Sequence, residues 1–168
     1  MENKHTSLGV IFIHSVLPAV QQHVEWAVSA VLGYEAHFDW TEQPIDPRFR
    51  RGELSYVGEV GVAAKLASAL RGWDDLRFEI TEEPTAISDG GRYLSTPSLG
   101  IFYAQTDLLG NIVVPENRIR AAIEEAGSDM QKLSFLLDVA LGSAWDRELE
   151  PFRYAGAGAP VRCLHQVG

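Results

Sequence analysis

Cysteine is almost missing from this chain: Cys163 stands alone among 168 residues. One thiol excludes an internal disulfide and a thiolate cage for a metal. Long apolar runs are missing too, the longest falling far short of the roughly 20 residues that span a bilayer. Positive charge is scarce, with 14 Lys and Arg against 23 Asp and Glu for a net charge of −9. Such a balance repels phosphate backbones and anionic lipid, so neither nucleic acid nor a membrane is an expected partner. No charged-then-apolar leader opens the sequence, and a cytoplasmic setting is expected. Catalytic signatures are equally sparse. There is no GxGxxG, no GxxxxGK[ST], no GxSxG elbow and no HExxH, and nothing calls for a cofactor or a metal.

What is present is an ordinary globular composition, 46% hydrophobic, 10% aromatic and 22% charged. Residues 1–153 read as a single α+β domain. Residues 154–168 read as a Gly/Ala-rich tail that turns apolar at Val161, Cys163 and Leu164. Residues 8–14 are apolar on both parities, as in a central strand. Val20, Val24, Ala27, Val28 and Val31 recur at helical spacing up to Gly33. Residues 34–40 alternate, with Tyr34, Ala36, Phe38 and Trp40 on one side, which predicts a strand. A short strand at 53–57, a helix through Val62, Leu66, Leu70 and Trp73, and an alternating strand at 76–81 repeat the order. Two strand–helix–strand units with right-handed crossovers predict a ferredoxin-like sandwich. After a loop at 82–98, an added hairpin (99–106 with 111–114) and two C-terminal helices (from Pro115, and over 129–149) complete the expected fold.

Two groups of residues are candidates for function. The polar parity of the strands would place His37, Asp39 and Glu79 on one open sheet face. A histidine beside carboxylates has the parts of an acid–base site for a small-metabolite enzyme or a ligand sensor. It is also what a water-facing antiparallel sheet looks like. On the last helix, Phe135 and Val139 lie well round the cylinder from the Met130/Leu133/Leu137/Leu141 stripe, so the helix is apolar on two sides. Trp145, Phe152 and Arg153 follow in a segment that alternates charge with bulk. Tryptophan and arginine carry much interface energy, so these five residues are the expected contact with a protein partner, in a hetero- or homo-oligomer. The same residues would serve equally to dock a helix end on its own domain.

Several stretches resemble an actinobacterial family known as domain of unknown function 3145. They are HVEWAVSAVLG (23–33), the Asp39-Trp40 pair, ASALRGW with LRFEITEEP (67–84), TPSLGIFYA (96–104) and LGSAWDRELEPFRYAGAGAPVR (141–162). The resemblance covers nearly the whole chain. It implies a cytoplasmic lineage and a link to fatty-acid or acyl-CoA metabolism, but no catalytic residues. With the missing motifs, it favours a non-enzymatic binding or regulatory subunit.

Overall fold

The structure, a computed structural model, describes residues 6–153; the expected tail at 154–168 lies outside them. An 11-residue strand, β1 (Thr6–Val16), runs through the sheet interior, antiparallel to β3 (Arg50–Glu59) on one side and β4 (Arg77–Glu82) on the other. Its alternation decides the layering. Ile11 and Ile13 turn to one face and pair across strands with Ile80 and Phe78, while Phe12 turns to the other face beside Glu79. A register shift after Ile13 then brings Val16 into the core on the Ile11 side.

Two helices cover that side. A 3-10 turn (Pro18–Val20) leads into α1 (Gln21–Leu32), which ends where Gly33 adopts φ 77°. The second, α2 (Val62–Leu70), starts after Gly61, and its first turn is held from below. Glu82 of β4 accepts hydrogen bonds from the Gly61 and Ala63 amides at 2.6 and 2.9 Å. A carboxylate there satisfies unpaired N–H groups and the positive end of the helix. Val24, Val28, Leu66 and Leu70 pack with Ile11, Phe78 and Ile80 as the main core. Tyr56 crosses Gly9 of β1 to donate to the Thr81 carbonyl at 2.9 Å. A Cβ at position 9 would run into both the tyrosine ring and that carbonyl.

The fold is α+β with a seven-stranded antiparallel open sheet, ordered β2-β3-β1-β4-β5-β6-β7, and three departures from the sequence expectation shape it. Residues 34–40 form no strand; only Thr41–Glu42 (β2) pairs with β3. The alternation there is real, since Ala36 and Phe38 are buried. Their amides, however, donate to the side chains of Ser29 and Glu25 on α1, each at 2.9 Å, instead of to a strand. Residues within the expected loop form β5 (Gly90–Thr96), paired with β4 and with β6 (Gly100–Thr106), which also pairs with β7 (Ile112–Val113). Finally, the helix expected over 129–149 breaks. Gly142 turns left-handed at φ 70°, which stops α4 (Met130–Leu141) before α5 (Ser143–Arg153) begins, and a Cβ there would also meet the Phe102 ring at 2.6 Å. With α3 (Glu116–Ala126), three helices follow the sheet rather than two.

Candidate functional site

The second sheet face is covered in part by α5. Leu149 packs on Leu94, Phe102 and Ala104, and Trp145 flanks them. Beside this apolar contact lies a buried ionic cluster. Glu79 of β4 accepts from His14 Nε2 at 2.5 Å, from Arg92 at 2.9 Å, and from Arg153 through two bonds of 2.6 and 2.7 Å. Asp146, one turn before Leu149, accepts from Arg92 and Arg153 at 3.1 and 2.9 Å. Gln43, fully buried, donates to the carbonyls of His14 and Phe152 at 2.6 and 3.3 Å. The Arg77 guanidinium lies 4.5 Å from the centre of the Phe152 ring.

Burial alone would push the Glu79 carboxyl up, but hydrogen bonds and charge from His14 and Arg153 hold it well below the usual carboxylate range. Burial works against the Arg153 cation, and Glu79 with Asp146 more than offsets it, raising its affinity for the proton. A buried carboxylate with both oxygens taken by the Arg153 guanidinium is a poor proton acceptor for a substrate. The cluster is a clamp: it ties the end of α5 to β1, β4 and β5.

The opposite situation holds on α3 and α4. These helices pack mainly on one another, with three residues (127–129) between them. Asp129 caps α4 by accepting from the Gln131 and Lys132 amides, each at 3.0 Å. Among their residues only Ala122, Ala126 and Ala140 are buried. Met130 is 72% exposed, Phe135 64%, Ile123 53% and Val139 41%. Met130 lies round the cylinder from Phe135 and Val139, which stand one turn apart on one flank, and exposed large apolar side chains side by side are what a contact surface offers.

Residues 10–166 match the family described as protein of unknown function (DUF3145). The chain belongs to that family. No curated protein and no solved structure matches it.

Within this family member the residues singled out from sequence fall into three places. Phe135 and Val139 are exposed together on α4, as their angular position predicts. Trp145, Phe152 and Arg153 face their own sheet. The Trp145 indole donates to the Gly100 carbonyl at 3.0 Å with its ring 5.2 Å from Phe102, Phe152 lies under Arg77, and Arg153 belongs to the clamp. His37, Asp39 and Glu79 are not brought together. His37 sits at the surface with Nδ1 3.6 Å from Glu25 and Nε2 3.1 Å from Glu35, Asp39 is exposed, and Glu79 is buried in the clamp. The reason is the missing strand: residues 34–40 never join the sheet that carries Glu79. Among the described residues no three His, Cys, Asp or Glu side chains converge as ligands for a metal. An open depression of about 460 Å³ lies between residues 85–89 and the side chains of Tyr103 and Gln105.

Sequence reasoning missed the clamp because Arg92 fell in a presumed loop. Arg77 and Glu79 on one strand parity looked like a water-facing row. The available signal was that this parity carries both signs of charge beside a long helix with its own Asp146 and Arg153.

Proposed function

We propose that this chain is a non-enzymatic binding subunit that docks a protein of different sequence on its α3–α4 hairpin. The observation that carries the reading is the large apolar side chains left uncovered there, with Phe135 and Val139 one helical turn apart on the same flank. The ionic clamp supports it from the other side: it holds α5 rigidly to the sheet and so gives α4, joined to it at Gly142, a fixed base. Charge selects the kind of partner. Glu116, Glu124, Glu125, Asp129 and Asp138 outnumber Arg118, Arg120 and Lys132 on the hairpin, in a chain of net charge −9. An apolar patch rimmed by Lys and Arg suits that surface better than a second copy does. Fatty-acid or acyl-CoA metabolism as the setting, a cytoplasmic location and an actinobacterial lineage rest on the family resemblance.

We also infer that β1–α1–β2–β3–α2–β4 is a ferredoxin-like unit. Supporting this are the position of β1 between β3 and β4, the edge position of β2 and the two helices packed together against the core.

The test is recovery of the tagged full chain from native lysate, alone and as the Phe135→Glu/Val139→Glu double variant. A stoichiometric companion that is lost from the variant, whose melting temperature is unchanged, supports the reading. A companion retained by the variant overturns it.

A further inference from the structure

We propose that the open depression beside Tyr103 is a binding site for an arginine side chain, presented by an extended segment of a partner protein. Two turns at one end of the sheet frame it. Thr85 fixes the first: its amide donates to the Ser88 carbonyl at 2.7 Å, and its hydroxyl accepts from the Ile87 and Ser88 amides at 3.3 and 3.1 Å. Asp107 fixes the second, its carboxylate accepting from the Leu109 and Asn111 amides at 2.9 and 2.8 Å. Gly90 pairs with Thr106, so the two turns meet the ends of adjacent strands. Beside them the Tyr103 ring lies over Gly91, where a Cβ would come to 3.0 Å from it, and rests with its centre 4.7 Å from that of Tyr93.

The lining selects the ligand. Ligand clefts are mostly apolar, whereas Thr85, Ser88, Asp89 and Gln105 line this one. Asp89 is the one charged side chain there among the described residues, so an anion is repelled and a cation is held. Gln105 Nε2 donates to Asp89 Oδ2 at 2.5 Å, which fixes the exposed carboxylate and leaves the Gln105 amide oxygen as a second acceptor. Two acceptors beside a half-exposed aromatic ring suit a planar guanidinium, which stacks on the ring while its N–H groups reach the carboxylate; an ammonium lacks that plane. Burial and the charges of Glu82 and Asp89 push the Tyr103 hydroxyl up, so the ring stays neutral and sits in a negative field. The rim points to what carries the arginine. Ile87 is 62% exposed, and Leu108 and Leu109, 85% and 83% exposed, occupy the middle of the second turn. The turn itself is held by Asp107, Gly110 and Asn111, so nothing in the fold calls for leucine at those two positions. They offer apolar contact to residues that flank an arginine in a protein, which a free guanidino compound lacks. The site shares no residue with the α3–α4 hairpin and stands whether or not that hairpin binds a partner.

Amide NMR spectra of the full chain, titrated with N-acetyl-arginine amide, test it. Saturable shifts at Asp89, Tyr103 and Gln105 are expected, with a dissociation constant of about 1–10 mM. N-acetyl-citrulline amide, the neutral isostere, should bind about tenfold more weakly. Asp89→Asn, at an exposed position and with its fold checked by the same spectrum, should weaken arginine binding about fivefold, while Tyr103→Phe keeps the aromatic platform and should change it less than about twofold. N-acetyl-Leu-Arg-Leu amide should bind about tenfold more tightly than the single residue and shift Leu108 and Leu109 as well. Arginine and citrulline binding alike, no saturation at tens of millimolar, or full affinity in Asp89→Asn overturns the site. A tripeptide that binds no tighter than the single residue overturns the protein segment as its occupant.

Discussion

Arg153 and Glu79 are 74 residues apart in sequence and joined by two hydrogen bonds, Nε to Oε2 at 2.7 Å and Nη2 to Oε1 at 2.6 Å. The planar guanidinium matches the carboxylate edge to edge, a geometry that lysine does not reproduce. Through this pair the last turn of α5 is fastened to a strand in the middle of the sheet.

Glu79→Gln should therefore cost about 3–5 kcal/mol of unfolding free energy, because it leaves Arg92 and Arg153 buried beside a neutral amide. Urea unfolding followed by circular dichroism measures it. A loss below about 1 kcal/mol would mean that α5 is held by its apolar contact alone.

The same carboxylate sets a pH dependence. Its value in the folded protein lies well below the ordinary 4.5, so the folded form holds fewer protons than the unfolded chain in that range. Its contribution is complete above 4.5 and is lost as the pH falls from there toward the lower folded value. The stability difference between wild type and Glu79→Gln should be flat from pH 7 to 5 and shrink steadily below 4.5. A difference that stays constant down to pH 3 contradicts the assignment.

The two groups of expected contact residues should separate on melting. Trp145→Ala removes a ring packed on Phe102 and a hydrogen bond to Gly100, and should destabilise by about 2–3 kcal/mol. Phe135→Ala, on an exposed flank, should stay within about 0.5 kcal/mol. Equal effects from the two would show that α4 is packed more fully than the exposure of Phe135 implies.

Gly9→Ala should be among the most damaging single-methyl additions, at about 3 kcal/mol, since its Cβ meets the Thr81 backbone and the Tyr56 ring at once. Thermal unfolding of Gly9→Ala beside Tyr56→Phe checks this. The phenylalanine variant loses only the hydrogen bond to Thr81 and should cost about 1 kcal/mol.

Much of the first half of the fold is legible in sequence because its signals are local. Val24 and Val28 are buried at the helical spacing that marks α1, and Phe78 and Ile80 are buried by the alternation that marks β4. The misreadings come from partners distant in sequence. Residues 34–40 alternate like a strand, yet Glu25 on α1 takes the Phe38 amide and the Trp40 indole. The glycines at 90 and 91 suggest a loop, although they let β5 pass against Thr106 and Tyr103. Gly142 ends α4 in a left-handed conformation, and the ring of Phe102, 40 residues earlier, leaves no room for a side chain there. Of the candidate site, Phe135 and Val139 were legible from angular position alone. The inward turn of Arg153 was not, because its partner Glu79 lies 74 residues earlier in a cluster that also gathers His14 and Arg92 from two other strands.

The mass of the complex recovered from native cells by a tag on the full chain tests the central claim most directly. Native mass spectrometry should give one copy of this chain with one copy of a protein of different sequence, and the Phe135→Glu/Val139→Glu chain should give its own mass alone. A wild-type chain recovered only as a monomer, or only paired with itself, would contradict the account.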